Sequence, residues 1–298
     1  MPSRKDILSS DPNTKTIEFG PLSNAEVNGF NKFLVINKKG LTFFDEIFPV
    51  GSTHEQVRIL YLLTTEATAA YVLTLPERFP DLQEFHWIDA YNTDIAKIEV
   101  DEQKAKLWEK VVIFKEEQSQ GISKKILEHN GFPNLAELSV DYYSPSENNG
   151  KQLIEQLDKA PKLEKLKVGN MEMLLSDLAL LNGKARNLET LHLSNIWHRK
   201  EKDNVSSIVA ENLKHLKLED MKRKDETLGY KLKLEPHWMN FIIDYFTKME
   251  KLTIYHDPHQ NGEVTKIRDL KEHAKVNYIT LINHCLDKEN VKYVTINP

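Results

Sequence analysis

The segment His256-Asp257-Pro258-His259 is the part of the sequence that most resembles a metal site, since two imidazoles and one carboxylate fall within four residues. Imidazole nitrogens and carboxylate oxygens bind zinc and related ions, but a protein site normally supplies at least three ligands. Pro258 fixes a turn, and we identify no further ligand in the sequence. We therefore interpret the segment as the loop that leaves a strand ending at Tyr255, and we expect no metal and no cofactor.

Short catalytic motifs are missing from the sequence. Gly-x-Gly-x-x-Gly, Gly-x4-Gly-Lys-Ser/Thr, Gly-x-Ser-x-Gly and His-Glu-x-x-His do not occur, so neither a phosphate-binding loop nor an activated serine is indicated. The single cysteine, Cys285, falls on the apolar side of a predicted helix, where a thiol is typically buried and unreactive. We therefore expect a protein that is not an enzyme; hydrolytic or metal-dependent turnover abolished by His256→Ala would favour the alternative.

The charge balance favours neither nucleic acids nor membranes as partners. The 298 residues include 40 basic and 45 acidic side chains, a formal net charge of −5, and the basic run at 222–224 is followed by acids, which is typical of a solvated loop. No stretch approaches the ~20 apolar residues that span a bilayer. One cysteine forms no intrachain disulfide and fits a reducing compartment, so we expect a cytoplasmic or nuclear protein.

One phrase recurs along the middle of the chain. Its clearest copies are FPNLAELSVDY (132–142), APKLEKLKVGN (160–170), ARNLETLHLSN (185–195) and AENLKHLKLED (210–220). The first leucines of the pattern Leu-x-x-Leu-x-Leu/Val are 28, 25 and 25 residues apart. Weaker copies begin at the apolar residues Phe30, Val57, Leu82, Trp108, Met249 and Val291. A near-constant spacing of one phrase indicates a repeat architecture and argues against the rival interpretation, a doubly wound α/β fold.

Each copy predicts one short strand, since its last two apolar residues lie two positions apart and share a face. The segments between copies carry apolar residues at helical spacing, namely 65–75, 122–129, 151–159, 171–181, 236–246 and 265–286. Such units bury their apolar sides only by stacking. We therefore predict an α/β fold, a right-handed leucine-rich-repeat solenoid (horseshoe) over 30–298, with parallel strands on the concave face and helices on the convex face. Residues 1–29 are predicted to be an N-terminal cap or disordered.

The four clear copies, together with 79–89, resemble the leucine-rich repeats of F-box proteins, in the ribonuclease-inhibitor-like class. Repeats of ~25 to 28 residues with a true helix are typical of that class. The resemblance extends over 30–298. In that family an F-box binds the adaptor of a cullin-type ubiquitin ligase, and the repeats bind the substrate. Residues 1–50 contain no recognisable F-box, so adaptor binding is transferred to no residue of this sequence.

The resemblance implies a protein–protein interaction scaffold, a substrate-recognition module similar to the F-box receptors of cullin-type ubiquitin ligases. The partner is then another protein, and a ligase adaptor becomes a partner only if an F-box is supplied elsewhere. The alternative is a free-standing binding or inhibitor protein with no role in a ubiquitin ligase. Recovery of a cullin adaptor with the protein would favour the first function over the second.

The strand register predicts which side chains meet a partner, because alternate residues of each strand point away from the core, onto the concave face. Ile88, Val112 and Phe114 are expected to form an apolar patch there, of the kind that marks interfaces. Beyond it we expect a basic band that suits an acidic segment, formed by Lys165, Lys167, His215 and Lys217. The predicted partner-binding residues are His86, Ile88, Val112, Phe114, Ser139, Asp141, Lys165, Lys167, His192, His215, Lys217 and Tyr255.

Overall fold

The computed structural model describes residues 9–18, 27, 29–88, 98–119, 121–143, 149–198, 212–219, 222–225, 229–232, 251–255 and 293–296. The chain divides into two compact units: unit 1 is Met1–Ser144 with Lys159–Lys162, and unit 2 is Pro145–Asp158 with Leu163–Pro298. Both units alternate short strands with helices, so the protein is a mixed α/β fold in which most strand pairs are parallel. Within these ranges, no helix is long and apolar enough to cross a membrane.

Unit 1 contains six strands and five helices among its described residues. The strands are β1 (Lys15–Ile17), β2 (Lys32–Ile36), β3 (Ile59–Leu63), β4 (Glu84–Ile88), β5 (Ile113–Ser119) and β6 (Glu137–Tyr142), each parallel to the next. The helices are α1 (Asn37–Ile47), α2 (Ala69–Leu73), α3 (Leu75–Arg78), α4 (Glu102–Lys106) and α5 (Ile122–Glu128). β1 lies within 1–29, the predicted cap or disordered segment, and forms the first strand of the sheet.

The apolar residues of successive repeats meet on one face of the sheet in unit 1. Phe114 is aligned with Phe85 on one neighbouring strand and with Leu138 on the other, and all three side chains are fully buried. α1 covers this face through Phe44, whose ring centroid lies 6.4 Å from that of Phe33. Burial of each large aromatic or aliphatic side chain contributes about 1.5–3 kcal/mol, so the stack is the main stabilising feature of the unit.

The repeat that contains β5 begins at Val111 rather than at Trp108, so the frame predicted for this copy is wrong by three residues. Backbone hydrogen bonds define the frame. The N–H groups of Val112 and Ile113 both donate to the carbonyl oxygen of Gln83, at 2.8 and 3.1 Å. The same paired bonds join the start of β6 to Val112, at 2.8 and 3.0 Å. Val112 is therefore the residue that directly precedes β5.

An aromatic residue three positions before the first anchor is the sequence signal for this frame. Phe79, Trp108 and Phe132 are all fully buried, and the carbonyl oxygen of each accepts a hydrogen bond from the N–H of the residue three positions later, at 3.0, 3.0 and 3.3 Å. Phe79 and Phe132 are followed by proline, whereas Trp108 is followed by Glu109. The copy at Trp108 therefore has the aromatic residue of this signal but not the proline.

Unit 2 contains eight strands and two α-helices among its described residues. In chain order the strands are β7 (Lys165–Gly169), β8 (Thr190–Ser194), β9 (Trp197–His198), β10 (His215–Glu219), β11 (Lys222–Asp225), β12 (Gly229–Leu232), β13 (Lys251–Tyr255) and β14 (Tyr293–Ile296). β7, β8, β10 and β13 form a parallel sheet in which the leucine anchors are aligned. β14 pairs antiparallel with β13, so it does not continue the parallel array predicted from the copy at Val291.

A second, smaller sheet in unit 2 consists of β9, β11 and β12. β11 contains the basic run at 222–224, for which the flanking acids predicted a loop. It pairs antiparallel with β12 and parallel with β9. The prediction of a loop was therefore wrong, since the run belongs to a strand that pairs with a neighbouring strand on each side.

The helices of unit 2 are α6 (Asn149–Glu155) and α7 (Leu175–Lys184). The segments predicted to be helical in 65–75, 122–129 and 151–159 contain α2, α5 and most of α6. α7 begins at Leu175, four residues after the predicted start at Met171, because Glu172 forms a bridge with Trp197 instead. The helices predicted at 236–246 and 265–286 lie outside the described residues.

The asparagines that end two copies of the phrase have a conformational role. Asn170 and Asn195 directly follow β7 and β8 and have φ values of +52° and +51°. Asparagine tolerates this left-handed conformation better than most residues, because its short side chain forms local hydrogen bonds. Here the Asn195 amide nitrogen donates to the Asn170 side-chain oxygen at 2.9 Å. The pair therefore turns the chain out of successive strands in the same way.

Candidate binding surface

Strand side chains that alternate with the core residues form a second face in each unit, which we call the outer strand face. In unit 1 it includes Glu84, His86 and Ile88 of β4, Ile113 and Lys115 of β5, and Glu137, Ser139 and Asp141 of β6. In unit 2 it includes Lys165 and Lys167 of β7, Thr190, His192 and Ser194 of β8, and His215, Lys217 and Glu219 of β10. These are the positions from which a repeat protein contacts a ligand.

The centre of the outer strand face in unit 1 is a buried hydrogen-bonded cluster. The Tyr61 hydroxyl donates to Glu84 Oε1 at 2.8 Å, and His86 Nε2 lies 2.7 Å from the same oxygen. The Tyr61 and His86 rings are in contact, with centroids 4.3 Å apart. The hydrogen bond with His86 is the main reason that the pKa of Glu84 is below its usual value. The carboxylate is thus satisfied within the protein.

Three predicted partner-binding residues of unit 1 are inaccessible. His86, Ile88 and Ser139 expose only 6 %, 7 % and 4 % of their surface, and Asp141 is half-buried. The expectation that these strands present an open polar surface is therefore wrong for the first three. For His86 and Ile88 the physical reason is that β3 also carries apolar side chains on this face, since Tyr61 is aligned with His86 and Leu63 with Ile88.

The apolar patch predicted from Ile88, Val112 and Phe114 does not form. Phe114 lies in the core, with its ring centroid 5.5 Å from Phe85 and 5.1 Å from Phe132. Val112, 38 % exposed, precedes β5 rather than lying within it, and Ile88 is buried. The differences at Val112 and Phe114 follow from the shifted frame, which turns Phe114 inward, whereas Ile88 is buried on β4, where it is aligned with Leu63 of β3.

In the observed frame of β5, the carboxylate of Glu116 lies in the core, which the predicted frame did not indicate. Glu116 is aligned with Trp87 and Val140, where other repeats have an apolar anchor, and it is fully buried. Its oxygens accept hydrogen bonds from the N–H groups of Ile122 and Ser123 at 3.0 and 3.2 Å, and from the Ser123 hydroxyl. Burial raises the pKa of Glu116 above its ordinary value. Sequence analysis missed this residue, which caps the start of α5 rather than facing a ligand.

The outer strand face of unit 2 is accessible and carries aligned basic residues. Lys167, His192 and Lys217 are aligned side by side on β7, β8 and β10. Adjacent strands lie about 4.8 Å apart, so the three Cα atoms span about 10 Å. In the next row, Lys165 and His215 are both exposed. The basic band predicted from these residues is therefore present on one face of the unit.

Glu219 shows that a carboxylate fits among these residues. Its Oε2 atom lies 2.8 Å from His192 Nε2 and 2.8 Å from Lys217 Nζ. Burial opposes its ionisation, but the hydrogen bonds from Lys217 and His192 outweigh that effect and lower the pKa of Glu219. Burial, followed by the positive charges of Lys217 and Lys167, also lowers the pKa of His192, so its imidazole is neutral near pH 7.

Among the described residues, Lys165 and Lys167 differ from Lys217 in having no counter-charge. Within the part of the chain that the structure describes, neither lysine forms an ion pair or a side-chain hydrogen bond. Lys165 is exposed and Lys167 is half-buried. Tyr255, the last predicted partner-binding residue, belongs to β13 and is aligned with Glu219. The unpaired cations therefore lie on β7, at one side of the row.

Metal chemistry has no support in the described ranges. No group of three or more His, Cys, Asp or Glu side chains among them is arranged to hold a metal ion. The segment from His256 to His259 lies outside the described residues, as does Cys285. The interpretation of these residues as a loop and a buried thiol stays a prediction.

The chain matches no protein-family model, and no curated protein is significantly similar to it in sequence.

Proposed function

We propose that the chain is a leucine-rich-repeat solenoid that serves as a protein-interaction scaffold and catalyses no reaction itself. One observation carries the proposal: parallel strands that follow one another in sequence order present an accessible row of basic side chains on the outer strand face of unit 2. Repeat proteins use this kind of surface for protein ligands. The single cysteine fits a reducing compartment, so we place this function in the cytoplasm or nucleus.

The first form of the function is substrate recognition, similar to that of the repeat region of F-box receptors of cullin-type ubiquitin ligases. The repeat phrase and its spacing support it. The second form is a free-standing binding or inhibitor protein. It needs no adaptor-binding module, and 15–17 and 32–47 form strands and a helix of unit 1 instead.

Affinity purification of the tagged chain from its own cells, followed by mass spectrometry, separates these forms. The wild type is compared with Lys167→Glu, which reverses a charge on the outer strand face. The matched control is Lys39→Glu, which reverses the charge of an exposed residue of α1. Both changes affect an accessible side chain, so neither is expected to disturb the core.

A cullin adaptor and a further protein, with the latter lost only from Lys167→Glu, would support substrate recognition. A partner lost from that variant without any ligase component would support a free-standing binding protein. Partners that are recovered equally from all three chains would contradict this surface as the binding site. Recovery of no partner from any of them would contradict the scaffold function.

A further inference from the structure

We propose that the outer strand face of unit 2 binds an extended acidic segment of a partner protein, with carboxylates at alternate positions beside Lys165 and Lys167. The inference rests on the proposed function, because it names the chemistry of the partner at that surface. It requires accessible cations, a demonstrated place for carboxylates and a matching repeat distance.

The cations are Lys165 and Lys167, which lie two residues apart on β7 and therefore share a face. Among the described residues they have no carboxylate partner, whereas Lys214, which directly precedes β10, forms an ion pair with Glu189 at 2.6 Å. An unpaired lysine beside a second lysine is repelled by it, and an incoming carboxylate relieves that repulsion. Charge complementarity therefore favours an acidic occupant.

Carboxylate binding is already demonstrated on this face by Glu219. One of its oxygens is bound at once by His192 Nε2 and Lys217 Nζ, both at 2.8 Å. Lys217 is thereby neutralised from within the chain, but Glu219 lies two strands away from β7. Among the residues that the structure describes, none supplies an equivalent carboxylate to Lys165 or Lys167, and the partner would supply it.

The repeat distance matches an extended segment. Side chains two residues apart on a strand are separated by about 6.5–7 Å, and an extended peptide has the same repeat. A segment that runs along β7 with an acid at every second position places one carboxylate beside each lysine. Nucleic acid fits less well, because Glu219 lies on the same face and the chain has a net charge of −5.

The test measures the binding of two fluorescein-labelled peptides to the full chain by fluorescence anisotropy at low ionic strength. In one peptide of about eight residues glutamate and serine alternate, and in the other the same residues form two blocks. We expect saturable binding of the alternating peptide, several-fold tighter than that of the block peptide. The double variant Lys165→Glu, Lys167→Glu is expected to weaken it at least about tenfold, and an increase from about 50 to about 300 mM salt to weaken it further.

The control variant Lys39→Glu carries a charge reversal on α1 and is expected to bind the alternating peptide like the wild type. Equal binding of the two peptides, equal loss in the control, or tighter binding of a thymidine oligonucleotide would overturn the proposal. Failure of this proposal is distinguishable from failure of the proposed function. If the peptide tests fail but a cellular partner is lost from Lys167→Glu, the scaffold function is supported and only the acidic chemistry of the partner is refuted.

Discussion

Replacement of Glu116 by valine tests how the core of unit 1 tolerates a carboxylate. The residue occupies a position where the aligned residue on β6 is Val140, so valine restores the repeat pattern. It also removes the acceptor for the N–H groups of Ile122 and Ser123 and for the Ser123 hydroxyl, all of which are buried. The variant therefore compares two contributions to stability at one site, the burial of an apolar side chain and the hydrogen bonds that the carboxylate accepts.

The magnitude follows from the three orphaned donors. Each buried donor left without a partner costs about 1–3 kcal/mol, so three cost at least about 3 kcal/mol. Burial of the valine side chain returns about 1.5 kcal/mol. We expect Glu116→Val to lower the free energy of unfolding by at least about 1.5 kcal/mol. Adding Ser123→Ala removes one orphaned hydroxyl and is expected to recover part of that loss.

Urea-induced unfolding at neutral pH, followed by circular dichroism and tryptophan fluorescence, measures the difference. Glu116→Gln is the matched control, because its amide oxygen still accepts a hydrogen bond from the start of α5. The expected order of stability is wild type, then Gln, then Val. If the valine variant were as stable as the wild type, the cost of burying the carboxyl would exceed the contribution of its hydrogen bonds, and the reasoning would fail.

Three further predictions concern the same unit. Burial raises the pKa of Glu116, so this group stabilises the fold fully below its unfolded pKa of about 4.3 and loses that contribution as the pH rises through the raised pKa. The thermal stability of Glu116→Gln is therefore expected to depend less on pH than that of the wild type. Phe114→Glu places an unpaired charge in the core and is expected to abolish folding as measured by circular dichroism, whereas Lys115→Glu on the outer strand face is expected to lower stability by only about 1 kcal/mol. If Lys115→Glu were the more destabilising of the two variants, the frame predicted from the sequence would be correct. Asp45→Ala leaves the buried Arg78 guanidinium without the carboxylate 2.6 Å away, and is expected to lower stability by about 2–3 kcal/mol in thermal unfolding, while an unchanged melting temperature would show that Asp45 is dispensable.

Much of the fold could be predicted from the sequence. The pattern Leu-x-x-Leu-x-Leu states which residues share a face, and at 28, 25 and 25 residues its spacing predicts one strand and one return segment per copy. The aligned anchors of β7, β8 and β10 confirm that register, and with it the basic band of unit 2. Alternation along a strand is a local property of the backbone, so a clear phrase is enough to predict it.

Other features were decided only by the tertiary structure. The frame of β5 depends on hydrogen bonds from Val112 and Ile113 to Gln83, which lies in the preceding repeat. The burial of His86 depends on its packing with Tyr61 and its bond to Glu84, and the role of Glu116 depends on the N–H groups at the start of α5. The alternation of apolar and polar residues along a strand predicts only that a side chain points away from the core face. Whether that side chain then meets solvent or other protein atoms depends on residues distant in sequence, and no local pattern contains that information.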